Sequence, residues 1–427
     1  MKKTHYDSNK TSSERKSHQK KWNATKQSTN KSFDHCDIKF QCQSCHYVNK
    51  SYQECLKDKH SNGLKILEAG EFLPKNVKIF PPHSAPKALA YRTVAKLAIR
   101  RNRKSKNSAD RFLIGLFKPG SHEVVDVSFC PVQMITINKC VRYIKKILRD
   151  SDLSPWDEES EDGDLKYLVL RASHITQDLL ITFVGVSKDV LPKMREIAKK
   201  IKQEQAVQGI HFNVNAEPGN QIFGDKTYKL VGREKLRENL CDFAFEISPR
   251  SFFQVNPWQA NHLYRRLEQL IGFSEQNAIA WDLYSGVAPI SMILARAGYK
   301  VLAVEENPDA VADGVVHSQL NKLEGKISFV TGRIEECHEE LPTWAKRPEI
   351  IVVNPSRAGI ALQTRIELQN ILRENPNLQF FYVSCDVSTL ARDLKELSLS
   401  GHKVRQIEAF DMFAQTDKLE WLAVMTN

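Results

Sequence analysis

The sequence predicts an α/β protein whose C-terminal third is a doubly wound, Rossmann-like parallel sheet, preceded by an α+β middle domain and a small cysteine-rich knot. Three observations point there. Seven short apolar runs (278–283, 301–305, 327–330, 350–353, 379–384, 404–409 and 421–425) alternate with helix-like stretches, the pattern of repeated βα units. Between residues 65 and 247, short strands such as LAIRR, RFLIGLF, YLVLRAS and DLLITFVGV mix with helical segments at 132–148 and 190–201 without that regular alternation. The chain has 427 residues and is 41 % apolar, enough to bury more than one core. The expected division is a basic tail (1–33), a cysteine segment (34–64), a central domain (65–247) and the C-terminal domain (248–427).

Residues 1–33 hold nine Lys or Arg against two acidic residues, which is +7 of the formal +11. With almost nothing to bury, this tail is expected to be disordered. It either attracts nucleic-acid phosphates without reading sequence or serves only solubility. No run of eighteen apolar residues occurs and the first thirty lack the apolar core of a secretory signal. A cytoplasmic protein with no membrane partner is expected.

Cys36, Cys42 and Cys45 are spaced C-x5-C-x2-C, with Cys55 ten residues on and Cys130 far downstream before a proline. Nine cysteines without a secretory signal argue against a disulfide framework. Thiolates in this pattern hold zinc or an iron-sulfur cluster, and spacing alone does not choose between them. Further on, Lys96, Arg100, Arg101, Arg103, Lys104 and Lys106 form a basic run suited to RNA phosphates or to plain solvation. The acidic stretch 157–164 (DEESEDGD) is expected to be a solvated loop without function.

In a doubly wound sheet the ligand lies at the carboxyl ends of the strands. Asp282, Tyr284, Ser285 and Gly286 fall at the first such end and Glu305 at the second, where a carboxylate suits a ribose diol. GVAPIS is not GxGxxG, which argues against a dinucleotide. At 380–393, FFYVSCDVSTLARD runs from an apolar strand into Cys385 and then a helix, with Ser388 or Thr389 as the expected N-cap. A thiol at a helix N-terminus is favoured as thiolate; the alternative is a buried structural cysteine.

Several blocks resemble the RNA 5-methyluridine methyltransferase family. SCDVSTLARD (384–393) is similar to the family's SCNPxTLARD, and SFFQVN (251–256), WDLYSGVAPIS (281–291), NPSRAG (354–359) and FDMFAQTDKLEWLAV (410–424) follow the family order. Matches continue upstream in AYRTVAKLAI (90–99) and FNVNAEPGN (212–220). The resemblance implies an S-adenosylmethionine-dependent RNA methyltransferase, with Gln254, Tyr284, Glu305 and Asn354 contacting the cofactor. It makes Cys385 the nucleophile that adds to carbon 6 of uracil and Glu420 the base that removes the proton from carbon 5. Bland readings stand beside these: Gln254 as a helix cap, Tyr284 as core, and Glu306 in place of Glu305. The resemblance further implies a [4Fe-4S] cluster on Cys36, Cys42, Cys45 and Cys130, with zinc, or Cys55 as fourth ligand, as alternatives.

The cysteine trio is similar to the ribosomal branch, so 23S ribosomal RNA is the expected partner of a monomeric enzyme, with transfer RNA as the alternative. The 35 residues before Cys36 leave no room for the small β-barrel with which some members begin. This sequence departs from the family pattern at Ala288, Pro289, Ser356 and Asp386. Ala288 and Pro289 are expected to tighten the methionine pocket, and Asp386 to raise the thiol pKa, so a catalytically weakened RNA-binding homologue is a further alternative. Arg357 is expected to offset Asp386 or to anchor a phosphate.

Overall fold

The computed structural model describes residues 36, 38–47, 50–105, 110–204, 206–217, 219, 221–274, 278–338 and 340–427. The expected basic tail and Lys106 lie outside them. The N-terminal cysteines flank a single turn, α1 (Lys39–Cys42). Ser51 then opens α2 (Tyr52–Ala69) with a capping box, its side chain accepting from the Glu54 N–H while the Glu54 carboxylate accepts from the Ser51 N–H. The helix buries Leu56 and Leu67 against the C-terminal sheet. Its approach is close: a Cβ on Gly63 would stand 2.1 Å from the Trp421 ring, so only glycine fits there. Next, β1 (Lys78–Ile79) pairs in parallel with the strand at 403–410 and adds an edge to the same sheet. The expected boundary at residue 64 therefore falls inside a helix that packs on the C-terminal sheet.

The middle of the chain forms β2 (Val94–Arg101), β3 (Phe112–Phe117), β4 (Val124–Asp126), α3 (Ile135–Arg149), β5 (Leu165–Ala172), β6 (Leu179–Gly185), α4 (Leu191–Ile201), β7 (Val207–Val214) and β8 (Lys226–Gly232). The strands make one sheet in the order β4-β3-β2-β5-β6-β7-β8. It is antiparallel except between β6 and β7, where α4 supplies the crossover. Ile137, Val141, Ile144 and Leu148 line one face of α3 at helical spacing and are buried with Met194, Ile197 and Ile201 of α4 over the sheet. This part of the chain thus combines one largely antiparallel sheet with the helices α3 and α4. The acidic stretch is solvated at Glu159, Glu161 and Asp162 as expected, but Asp157 is buried and pairs with Asp162 in a small bridge beside β2.

A hairpin of β9 (Leu236–Leu240) and β10 (Phe243–Ile247) leads to α5 (Pro257–Ile271). The remainder alternates β11 (Ile279–Leu283), α6 (Pro289–Arg296), β12 (Lys300–Glu305), α7 (Pro308–Leu320), β13 (Ile327–Thr331), α8 (Ile334–Cys337), β14 (Ile350–Val353), α9 (Leu362–Glu374), β15 (Gln379–Ser384), α10 (Val387–Leu397), β16 (Lys403–Phe410) and β17 (Glu420–Thr426). The sheet order is β1-β16-β17-β15-β14-β11-β12-β13. All seven expected strands are present, but the sheet is mixed: β17 runs antiparallel to both neighbours. Alternate residues serve opposite layers. Phe381 and Val383 join the core under α5 and α6, while Phe380 and Tyr382 join that under α2, α9 and α10.

Candidate active site

The strand order lays the candidate residues in a row along one edge of the sheet. Glu305 ends β12, Tyr284 follows β11, Asn354 follows β14 and Cys385 follows β15. Because β17 is reversed, its first residue, Glu420, lies on that same edge. Ser384 pairs with Trp421, so the register carries Cys385 alongside Glu420. Three strand spacings separate β12 from β15, about 14 Å, which leaves room for a nucleoside at one end and a reacting carbon at the other.

Burial dominates the electrostatics at the Cys385 end. It pushes the Cys385 thiol up to about 11, the neighbouring Glu420 adds to the rise, and the Arg357 charge pulls it back. Glu420 is 3 % exposed. Burial pushes its carboxyl up to about 8, again opposed by Arg357. The expected thiolate preference from the helix N-terminus is thus outweighed by desolvation. Arg357 is the one cation that acts on both groups.

Asp386, not Ser388 or Thr389, is the N-cap of α10: its carboxylate accepts from the Ser388 and Thr389 N–H groups at 3.0 and 3.3 Å. Its second oxygen meets Lys418 Nζ at 3.2 Å. Both Asp386 oxygens are thus engaged, and the thiol is raised first by burial and then by Glu420. Lys418 was not anticipated; its position two residues before Glu420 was the available signal. Buried Asp393 ties the NPSRAG loop to α10, accepting from Ile360 N–H at 2.8 Å and from the Tyr382 hydroxyl at 2.6 Å. Gly359 adopts φ +75° where a Cβ would meet Asp393 at 2.6 Å, so the loop that carries Arg357 requires glycine there.

At the β11–β12 end, the Glu305 carboxylate accepts from Gly286 N–H at 3.0 Å and from Asn307 N–H at 2.9 Å. Glu306 points elsewhere, to exposed Arg333 at 2.9 Å. Tyr284 takes a left-handed φ of +62°, rare for an aromatic residue, and reaches Thr364 and the Ala361 backbone. Gln254 is buried and donates to the Tyr264 hydroxyl at 3.3 Å. It does not cap α5, a role held by Asn256. Ala288 caps α6 at φ +68°, a conformation that favours glycine.

Three features of this end fit an S-adenosylmethionine ligand. Asp282 Oδ1 and Ser285 Oγ are buried without a hydrogen-bond partner, and a Cβ on Gly286 would meet nothing within 4 Å. Burial raises Asp282 to about 7, while Ser291 donates to its other oxygen at 2.5 Å.

Cys36, Cys42, Cys45 and Cys130 line one cavity of about 180 Å³ together with Arg92 and Lys96. Burial raises the Cys45 thiol to about 12, and repulsion from Cys130, Cys42 and Cys36 adds to it. Among the described residues no three His, Cys, Asp or Glu side chains are gathered as a metal-ion site. Cys55 is buried under α2, where the Lys59 and Asp411 charges act on it.

Fold and edge together define a Rossmann-like methyltransferase. The chain matches the tRNA (Uracil-5-)-methyltransferase family over residues 51–426 and belongs to it. It is therefore an S-adenosylmethionine-dependent RNA (uracil-5-)-methyltransferase. An uncharacterised RNA methyltransferase of Synechocystis sp. is 30 % identical over 393 residues, covering 91 % of this chain and 81 % of that protein. One from Bacillus anthracis is 30 % identical over 397 residues, covering 92 % and 82 %. Among solved structures, the tRNA (uracil-54, C5)-methyltransferase of Pyrococcus abyssi, in complex with S-adenosyl-L-homocysteine, shares the fold: TM-score 0.71 at 24 % identity, covering 90 % of this chain and 86 % of that one. Among the described residues, no helix is long and apolar enough to cross a membrane.

Proposed function

We propose that the chain acts as a cytoplasmic monomer that forms 5-methyluridine in 23S ribosomal RNA, with Cys385 as nucleophile and Glu420 as base. The observation that carries this reading is the β15–β17 register, which sets a half-buried thiol beside a buried carboxylate, with the Arg357 charge acting on both. S-adenosylmethionine supplies an electrophilic methyl group, and Gln254, Tyr284, Glu305 and Asn354 hold it along the strand ends. Carbon 5 of uracil is a poor nucleophile until a thiolate adds to carbon 6, which makes carbon 5 enolate-like. Arg357 favours that thiolate by its charge. After transfer, Glu420 takes the proton from carbon 5 and the Cys385–carbon 6 bond breaks, returning the electron pair to sulfur. A carboxyl titrating near 8 is well matched to removing a carbon-bound proton at neutral pH. The target uridine must leave its stack to reach the half-buried sulfur.

Cys36, Cys42, Cys45 and Cys130 are the proposed ligands of a [4Fe-4S] cluster. A ring of four thiols around a cavity suits a polynuclear cluster better than one zinc, whose tetrahedral bonds of about 2.3 Å would draw the sulfurs together. Arg92 and Lys96 oppose the negative charge of four thiolates. Such a cluster would clip residues 36–45 to the loop after β4.

Ribosomal RNA is favoured by the cysteine trio. Transfer RNA is the second reading, favoured by the family's name and by the substrate of the Pyrococcus abyssi protein. Mass spectrometry of both RNAs from a deletion strain separates them. Loss of one methyl at a single 23S uridine is expected; loss confined to transfer RNA would overturn the ribosomal reading.

A further inference from the structure

The basic run and the acidic stretch, remote in sequence, form the two walls of one cleft of about 590 Å³ on the outer face of the central sheet. Arg100 is built in. Its side chain is 9 % exposed, and its guanidinium lies 5.2 Å from the centres of both the Phe117 and Tyr167 rings. Its Nη1 donates inward to the Ile99 and Lys166 carbonyls at 2.9 and 2.8 Å. Its other edge, Nε and Nη2, faces the cleft and donates to a single Glu158 oxygen at 2.9 and 2.7 Å. The second Glu158 oxygen meets His122 Nδ1 at 2.9 Å. Beside it, Arg103 bonds both Asp157 and Glu159, and Glu159 is 78 % exposed. Asp157 is buried and takes Arg101 as well, so it belongs to the wall.

A fixed guanidinium edge with a second donor opposite is the geometry that receives a phosphate, and a carboxylate satisfies the same donors with one charge fewer than a phosphomonoester. We propose that this cleft binds the sugar–phosphate backbone of RNA and that Glu158 and Glu159 occupy the positions of two successive phosphates until RNA displaces them. The inference rests on the reading of the substrate as RNA and adds where and how its backbone is held. The two carboxylates must be displaced by any strand, and only one that brings its own phosphates in register replaces the ion pairs that are lost. They compete with any strand that does not, so the cleft discriminates against weakly placed RNA.

The test uses the full chain, with a fluorescent single-stranded oligouridylate titrated across a salt series. The E158Q/E159Q variant frees the Arg100 edge and one Arg103 contact. At about 0.7 per contact in the slope of log K against log salt for single strands, the slope should steepen by about 1.4 and binding near 0.1 M should tighten roughly 5- to 25-fold. Adding Arg103→Gln, an exposed position, should reverse about half of that gain. Methyl transfer at saturating RNA should be unchanged, since neither glutamate touches the reacting edge; it reports on the methyltransferase reading separately from binding. Unchanged affinity and slope would overturn the proposal. So would an equal gain from E196Q/E234Q, exposed acids outside the cleft, because net charge alone would then explain it. A gain for polyglutamate but not for RNA would also overturn it.

Discussion

At the carboxyl edge of the C-terminal sheet, Glu420 and Cys385 have been taken out of water, and burial pushes both toward their neutral forms. Across the face of the central sheet, Arg100, Arg101 and Arg103 instead meet carboxylates of the 157–159 loop, several at exposed positions. The two regions store reactivity differently. The edge holds it as the cost of an unsolvated charge, released by the substrate and little affected by salt. The face holds it as exchangeable ion pairs, which salt screens over about 10 Å at 0.1 M. One region is suited to chemistry and the other to gripping a polyanion.

The comparison extends to the cysteine cavity that borders the central sheet, where an all-or-none effect is expected. Anaerobically purified protein should be brown with about four irons per chain. Cys130→Ser should remove them and Cys55→Ser should not; stoichiometric zinc in a colourless protein would rule the cluster out. A smaller effect separates the buried and exposed ion pairs. Lys59 and Asp411 are both fully buried, 2.5 Å apart, and the Tyr52 hydroxyl donates to Asp411 at 2.8 Å. Asp411→Asn should lower unfolding free energy by about 3–5 kcal/mol, because it leaves a buried ammonium without its charge partner. Glu159→Gln should cost under about 1 kcal/mol. Equal losses in denaturant melts would erase the distinction between the regions.

Proton linkage gives a third contrast. Glu420 titrates near 8 when folded and in the ordinary carboxylate range when unfolded, so its contribution to stability is present below that range and is lost as pH rises toward 8. Glu420→Gln should therefore gain stability relative to the native chain as pH rises from about 4.5 to 8. The gain is at most about 1.4 kcal/mol for each pH unit crossed, and none is expected below that window. In the native enzyme kcat/KM should rise with pH through about 8; a flat profile from about pH 6 to 9 would show that Glu420 does not titrate there. The smallest effect is conformational. Ala288→Gly relieves a left-handed alanine at the start of α6 and should tighten S-adenosylmethionine binding while changing stability by only about 1 kcal/mol, as lost strain and added chain entropy oppose each other.

Much of the edge was legible in the sequence because buried strands read as apolar runs and the motif residues fall at their ends. The β15–β17 pairing was not, since nothing local to residues 420–426 states that the strand is reversed. Nor did the pattern of α2 say which sheet it covers; Gly63 against Trp421 and Lys59 against Asp411 are contacts across most of the chain. Strand β9 escaped because it is short and carries Arg237 and Glu238 among its five residues. The acidic loop is solvated at Glu159, Glu161 and Asp162 as its composition suggests, but a run of carboxylates does not reveal its partner arginines, some 55 residues earlier. The local sequence also hid that Asp386 caps a helix and that Asp411 is locked to Lys59.

The division of labour between Cys385 and Glu420 is tested most directly by denaturing electrophoresis after incubation with substrate RNA and S-adenosylmethionine. Glu420→Gln can add to carbon 6 and accept the methyl group at carbon 5 but lacks the base, and removing a positioned base slows a step roughly 10²- to 10⁴-fold. It should accumulate a protein–RNA adduct that survives denaturation, while Cys385→Ala should form none and methylate nothing. Normal turnover by Glu420→Gln, or methylated RNA from Cys385→Ala, would contradict the account.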